Sequence, residues 1–215
     1  KYGADLRDGQ AAMNRPAFTH EMASWVATMP DVDARLRSEP PARVADVGCG
    51  AGWSTIALAR AFPAAIVEGI DLDLASVDDA RRNAAEAGMA DAVIFQVQDA
   101  ADPAAKGAYD LACMFEALHD TPRPAEVLGA LHQMLREDGS VLLADERVAS
   151  SFTAPGDEVE RMMYGWSISH CLPAAMVDQA AEPTGTVLRE PTVRDLAARA
   201  GFRSVDVLPI ENDFF

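Results

Sequence analysis

Val44-Ala45-Asp46-Val47-Gly48-Cys49-Gly50-Ala51-Gly52-Trp53-Ser54 decides the fold: an apolar run ends in three alternating glycines and then a polar residue able to open a helix. The pattern predicts a strand, a tight loop and a helix. Gly48, Gly50 and Gly52 carry no Cβ, so the backbone there turns sharply and lies against a ligand, while the helix that follows presents N–H groups at its first turn. In the dinucleotide fingerprint the third marked position is Gly or Ala, which lets helix and strand pack closely. Trp53 stands there instead. The indole argues against a dinucleotide, and Asp46, two residues before the first glycine, is placed to read a polar ligand tail rather than a pyrophosphate.

Outward from this loop, apolar blocks alternate between strand-like and helix-like periods, the signature of a parallel sheet with crossover helices. Strands are expected at 43–47, 65–70, 92–97, 109–115, 140–145 and 204–210, and helices at 52–61, 74–87, 123–136 and 191–200, the second closing at Gly88 and the last at Gly201. Four of the first five strand ends carry a carboxylate within a few residues. Before the sheet, Met13, Phe18, Met22, Trp25, Val26 and Met29 follow a helical period up to Pro30, giving one or two lead helices, and a shorter helix is expected at 31–38 before Pro40-Pro41. Residues 150–190 break the alternation with an insertion expected to be helical. The fold class is therefore α/β: a doubly wound, mostly parallel sheet, with residues 1–39 as lead helices of the same domain and 40–215 as the ligand-binding domain.

The totals fit this reading. A chain of 215 residues, 49% hydrophobic and 24% charged, holds one substantial α/β domain. A formal charge of -16 repels phosphate backbones, so nucleic acid is a poor substrate. Cys49, Cys113 and Cys171 are odd in number and lack ligand or redox spacing, which points to a reducing, cytoplasmic setting. No apolar run reaches membrane-spanning length. No histidine and carboxylate grouping has metal-ligand spacing along the sequence, so no metal is expected.

In an open parallel sheet, ligands bind beyond the carboxyl ends of the strands, where the strand order reverses. A doubly wound order puts the first strand beside that switch, with the second and third strands on one side and the fourth on the other. Asp71 ends the second strand 21 positions after Gly50, and its carboxylate can accept both hydroxyls of a ribose. As a lone strand-end residue it would equally serve as a turn or helix cap. With the glycine loop, ribose binding is the favoured reading. Leu72 would pack on an adenine, with the Asp99 carboxylate on its exocyclic amine and the Ala100 N–H as a further contact.

The series Asp46-x-Gly48-x-Gly50-x-Gly52, Gly69-Ile70-Asp71, Gln98-Asp99-Ala100 and Tyr109-Asp110-Leu111 resembles, in order and spacing, the motifs of the class I S-adenosylmethionine-dependent methyltransferases over about residues 40–150. The resemblance implies S-adenosyl-L-methionine as cofactor, S-adenosyl-L-homocysteine as product, and Cys49 and Phe115 as further cofactor contacts. Tyr2-Gly3, Gly9-Gln10, Asn14-Arg15, Ala117-Leu118-His119-Asp120 and Met163-Tyr164-Gly165 are similar to bacterial members that often carry an amino-terminal winged-helix dimerisation domain. By that resemblance a domain would precede Lys1, making a homodimer, and a seventh, antiparallel strand would follow Phe215, so both ends are expected to be missing here.

The reaction so implied is an in-line displacement at a sulfonium methyl, in which the protein chiefly positions nucleophile and methyl in a dry pocket. The acceptor is expected to be a small molecule reacting at oxygen, nitrogen or carbon. His119, in the loop after the fourth strand, is the candidate general base, although bonding to backbone or to Asp120 would explain it equally well. Tyr164, Trp166 and His170 in the insertion would roof an acceptor pocket, unless they only pack it onto the sheet. A second reading, a cofactor-binding module without catalysis, is separated from the first by turnover. An NAD-dependent oxidoreductase is disfavoured by Trp53 and by the lack of a Tyr-x-x-x-Lys pair.

Overall fold

The computed structural model describes residues 3–102, 105–177 and 181–215. The chain divides into two compact units, Lys1–Met114 with Gln133–Leu142, and Phe115–His132 with Leu143–Phe215.

The first unit holds the sheet. Strands β1 (Arg43–Val47), β2 (Ile66–Asp71), β3 (Val93–Val97), β4 (Tyr109–Phe115) and β5 (Leu135–Ala144) lie in the order β3-β2-β1-β4-β5. β1 pairs in parallel with β2 and with β4, and β2 with β3. This is the expected reversal of order beside β1. Val44, Ala45 and Val47 are at most 1% exposed, which is why the central strand reads as a continuous apolar run. At the edge, β3 buries Val93 and Phe95 while exposing Ile94 and Val97, the alternation of a strand covered on one face. Glu68, buried within β2, accepts from Gln96 Nε2 (2.8 Å), Tyr109 OH (3.1 Å) and Arg43 Nη2, so its charge is compensated inside the sheet.

The lead segment is one helix, α1 (Ala4–Ala27), continuous through Pro16, followed by α2 (Pro30–Leu36), where Pro30 sits at the helix start that its missing N–H suits. Phe18, Met22, Trp25 and Val26 form the buried stripe of α1 at helical spacing and pack on α3 (Trp53–Ala61). Met13, expected in that stripe, is half exposed. Tyr2, one carrier of the resemblance, lies outside the described residues. α4 (Leu74–Glu86) starts at Asp73, whose carboxylate accepts from the Ser76 N–H at 3.2 Å.

α5 (Pro124–Met134) runs straight into β5, so the expected turn at Asp138-Gly139 falls inside a strand that begins five residues earlier than its predicted start at 140. The backbone there is engaged by the chain entering β4: the Gly107 and Ala108 N–H groups donate to the Gln133 and Met134 carbonyls at 2.9 Å, and a Cβ on Gly139 would come within 3.0 Å of the Tyr109 carbonyl oxygen.

In the second unit, the insertion forms α6 (Glu158–Trp166), a π-helical turn at Ser167–Cys171 and α7 (Leu172–Ala175); its residues 178–180 lie outside the described residues. α8 (Glu190–Ala200) ends on Gly201 at φ 96°, the left-handed cap expected there. Residues 204–210 form no strand, contrary to the sequence reading. Their alternating pattern finds no ladder, and Val207 stays 68% exposed.

Candidate functional site

The first unit contains the glycine loop and the strand ends around it. Both the Gly48 and Cys49 N–H groups donate to the Ile70 carbonyl, at 2.7 and 3.1 Å, which ties the loop to the end of β2. Gly50 N–H donates to Asp71 Oδ2 at 2.9 Å, and Asn83 Nδ2 on α4 donates to the Ala51 carbonyl at 2.9 Å. Two glycines answer different needs. A Cβ on Gly52 would lie 2.8 Å from Ala80 Cβ and from the Phe95 ring, so this residue lets loop, helix and sheet approach closely. A Cβ on Gly50 would meet nothing within 4 Å, so its face is open, and the residue serves a backbone φ of +50° that exposes the chain to a ligand.

Asp46 is 1% exposed, and its Oδ2 accepts from Ser54 Oγ (2.6 Å) and Thr55 Oγ1 (2.5 Å) in the first turn of α3. Burial pushes its carboxyl up to about 6, the two hydroxyls pulling in the other direction. Its geometry is that of a brace between β1 and α3, rather than a group reaching toward a ligand tail. Asp71 is raised as well, by burial first, although the Asp73 and Gly50 N–H groups at 2.8 and 2.9 Å favour its ionised form. Cys49 is buried beside these carboxylates, and burial raises its thiol. Leu72, next to Asp71, is 68% exposed. Asp99 folds its Oδ1 back onto the Ala101 N–H at 2.9 Å, shaping the loop in which Ala100 sits.

Gly48, Cys49, Gly50, Asp71 and Leu72 thus come together at the ends of β1 and β2, and Asp99 and Ala100 follow the end of the adjacent β3. Trp53, half buried at the start of α3, lies under the Arg15 guanidinium, 3.7 Å from its ring centroid. A cleft of about 220 Å³ between α1 and α3 is lined by Phe18, His20, Met22, Trp53, Ile56 and Arg60. It is smaller than the ~300–1,000 Å³ typical of sites for drug-sized ligands.

The second unit gathers a separate cluster. The Glu116 N–H donates to the Ala144 carbonyl at 2.8 Å, joining the turn after β4 to the end of β5. His119 in that turn is 1% exposed, with Nδ1 2.6 Å from Asp145 Oδ1 and 3.0 Å from Glu146 Oε2, and Nε2 3.3 Å from Asp120 Oδ1. Burial works against the imidazolium, but Asp145, Cys171 and Glu146 together outweigh it, so the histidine titrates far above its usual range. Asp145 is correspondingly lowered by His119, and burial beside Asp145 raises Glu146 to about 9. A ring held protonated has no lone pair to take a proton. This pull toward the charged form, with Nε2 facing Asp120, favours the second reading of His119, a histidine bonded to Asp120, over that of a general base.

The three residues expected to roof the acceptor pocket differ in their surroundings. Tyr164 OH accepts from Arg189 Nη2 at 3.0 Å, in a group where Arg189 also binds Glu160, and Phe152 meets the Tyr164 ring edge-on. Trp166 is 36% exposed, whereas His170 is half buried in the π-helical turn. The inward stripe of this segment is Glu160, Met163, Ser167 and Cys171. Phe115, buried at the end of β4, opens the second unit. Sequence reading missed the Asp145, Glu146 and Cys171 partners of His119, because separations of 26, 27 and 52 residues leave no local spacing to read. Only the run of charge after β5 hinted at them.

Residues 44–139 match a family model described as a methyltransferase domain. Among curated proteins, the chain is similar to a ubiquinone biosynthesis O-methyltransferase of Nitrosococcus oceani, 38% identical over 103 residues, 47% of this chain and 42% of that protein. It is also similar to the 27-O-demethylrifamycin SV methyltransferase of Amycolatopsis mediterranei, 30% identical over 121 residues, 56% of this chain and 44% of that one. These matches span less than half the length of either relative. Among solved structures, an O-methyltransferase family protein from Burkholderia thailandensis superposes with a TM-score of 0.59 at 18% identity, over 89% of this chain and 56% of its own. The cyclase SpnF does so at 0.56 and 20%, over 84% and 59%. At such identities the likeness is one of fold, and the fold alone does not fix the reaction. The glycine loop, the acidic strand ends and the strand order agree with the methyltransferase-domain model over residues 44–139, and the sheet has the class I S-adenosylmethionine-dependent methyltransferase fold.

Proposed function

We propose that the protein transfers a methyl group from S-adenosylmethionine to a small-molecule acceptor. The observation that carries this is the open face over Gly50 beside Asp71, bordered by the exposed Leu72. The residues present fit the cofactor. Asp71 would accept from the ribose hydroxyls, Leu72 would cover the adenine, and Asp99 with the Ala100 N–H would read its edge, while Gly48, Cys49 and Gly50 supply a backbone that a ligand can approach. The charge fits as well. Carboxylates at the end of β2 and just after β3, Asp71 and Asp99, favour a ligand bearing a sulfonium and an ammonium over one bearing a pyrophosphate.

When bound, the cofactor supplies a methyl already activated by a cationic sulfur. What this chain contributes on the cofactor side is position: Ile70 and Asp71 fix the loop, Asp46 fixes α3 against β1, and Gly52 closes the packing beneath. His119, drawn toward its charged form, orients rather than deprotonates. Phe115 belongs to the proposed cofactor set, and Tyr164, Trp166 and His170 remain the proposed acceptor-side residues.

Both named relatives are methyltransferases acting at oxygen, so hydroxyl acceptors are the first to try. Among the described residues no helix is long and apolar enough to cross a membrane. The reading includes a cytoplasmic setting, supported by three buried cysteines in no disulfide. The test is a turnover assay with isotopically labelled methyl donor against a panel of phenolic and alcoholic small molecules. Label on any acceptor, lost in Asp71→Ala, supports the reading. Cofactor binding with no transfer across oxygen, nitrogen and carbon nucleophiles would replace it with the non-catalytic module.

A further inference from the structure

The second unit holds a group of side chains whose types are those of metal ligands. His119 Nδ1, Asp145 Oδ1 and Glu146 Oε2 converge, with Nδ1 2.6 and 3.0 Å from the two oxygens and all three within 4.8 Å of one another. The single proton on Nδ1 goes to Asp145. Glu146, 8% exposed, is left with Oε2 buried, pointing at the ring and making no hydrogen bond. A buried carboxylate oxygen without a donor is costly, and a cation is the direct remedy.

We propose that His119 Nδ1, Asp145 and Glu146 form a binding site for a divalent transition cation of the zinc class. Three features support it. The ligand set is one imidazole nitrogen and two carboxyl oxygens, which carry two negative charges against a dication once Glu146 gives up its proton, and this chemistry suits zinc rather than the all-oxygen shells of magnesium or calcium. The spacing is nearly right. Ligands at about 2.0–2.2 Å from zinc stand roughly 3.2–3.5 Å apart, so Glu146 needs a few tenths of an ångström of movement and Asp145 somewhat more. The far side of the ring completes the arrangement, because Nε2 faces the Asp120 carboxylate at 3.3 Å, and a metal-bound histidine characteristically donates its other N–H to such a group.

Binding near neutral pH would release two protons to solvent, one from Nδ1 and one from the Glu146 carboxyl, and leave Nε2 as the sole N–H of the ring. Cys171 lies on the same histidine, grouped with Asp120 rather than with the two metal carboxylates, and is assigned no bond to the cation. Its ligands all belong to the second unit, and the site does not depend on the methyl-transfer reading.

Isothermal titration of the tag-free, chelator-treated full chain with Zn2+, together with Co2+ absorption, tests the assignment. One Zn2+ per chain is expected, with visible Co2+ bands and no thiolate charge-transfer band. Glu146→Gln is expected to weaken Zn2+ at least ten-fold, and Zn2+ to raise the melting temperature of the wild type but not of this variant. If Glu146→Gln fails to fold, Asp145→Asn is read by the same criteria. Absence of stoichiometric Zn2+ binding, or equal binding by the folded variant, overturns the site. A thiolate band overturns the ligand set in favour of the Cys171 face.

Discussion

Asp46 and His119 are equally buried, each 1% exposed, yet the two regions around them handle an ionisable group in opposite ways. Asp46 is met by neutral donors, two hydroxyls from residues eight and nine positions along the chain. His119 is met by charge, from residues 26 and 27 positions away. Neutral hydroxyls partly offset the cost of burying a carboxylate, and its pKa stays raised. Opposite charge outweighs the burial cost, and the histidine is drawn toward its charged form, so that its removal strands its partners. The first arrangement suits a brace under a ligand loop, and the second locks a turn.

The comparison breaks most visibly at His119. Replacing it by Ala leaves Asp145 and Glu146 buried without their cation, so chemical denaturation of the metal-free protein should show a loss of about 3–5 kcal/mol. A loss under about 1 kcal/mol would mean that the cluster is not held by charge.

The next effect belongs to Asp46 and depends on pH. Its folded pKa of about 6 lies above the ordinary 3.8, so the folded protein holds this proton more tightly than the unfolded chain does. Stability from this group is full below the ordinary value and is lost as pH rises through 6. The difference between wild type and Asp46→Asn should therefore change by on the order of 3 kcal/mol between pH 4 and 7, the wild type losing ground as pH rises. A pH-independent difference would place the Asp46 carboxylate in a wetter site.

Smaller still is Ser54→Ala, which removes one of two hydroxyls from that carboxylate. About 1.5–3 kcal/mol should be lost in urea unfolding at neutral pH, and less at pH 4, where Asp46 is largely protonated. The smallest effect is expected for Arg15→Ala, which removes the guanidinium over Trp53 at a cost of about 0.5–1 kcal/mol in thermal unfolding.

The contrast between the two regions also explains what could be read in the sequence. Asp46, Gly48, Gly50, Gly52, Ser54 and Thr55 lie within ten residues, so strand, loop and helix follow from local pattern, although Asp46 was read as facing a ligand and instead accepts from Ser54 and Thr55. Asp71 was legible through its fixed distance from the loop, and the parallel sheet through the alternation of periods. The fate of 204–210 was not, because an alternating pattern specifies a face but no neighbouring strand to pair with. The sequence left His119 between a general base and a histidine bonded to Asp120, because Asp145, Glu146 and Cys171 are brought to it from distant stretches of the chain that carry no local spacing. Nor could the sequence show that the Tyr164 hydroxyl accepts from Arg189, 25 residues further on.

Calorimetric titration of the purified chain with S-adenosylmethionine and S-adenosylhomocysteine, repeated on Asp71→Asn, tests most directly whether the glycine loop holds the methyl donor. The account predicts one site for each ligand in the wild type, at least ten-fold weaker binding in the variant, and little change in its melting temperature. A folded wild type that binds neither ligand, or an Asp71→Asn variant that binds both unchanged, would contradict it.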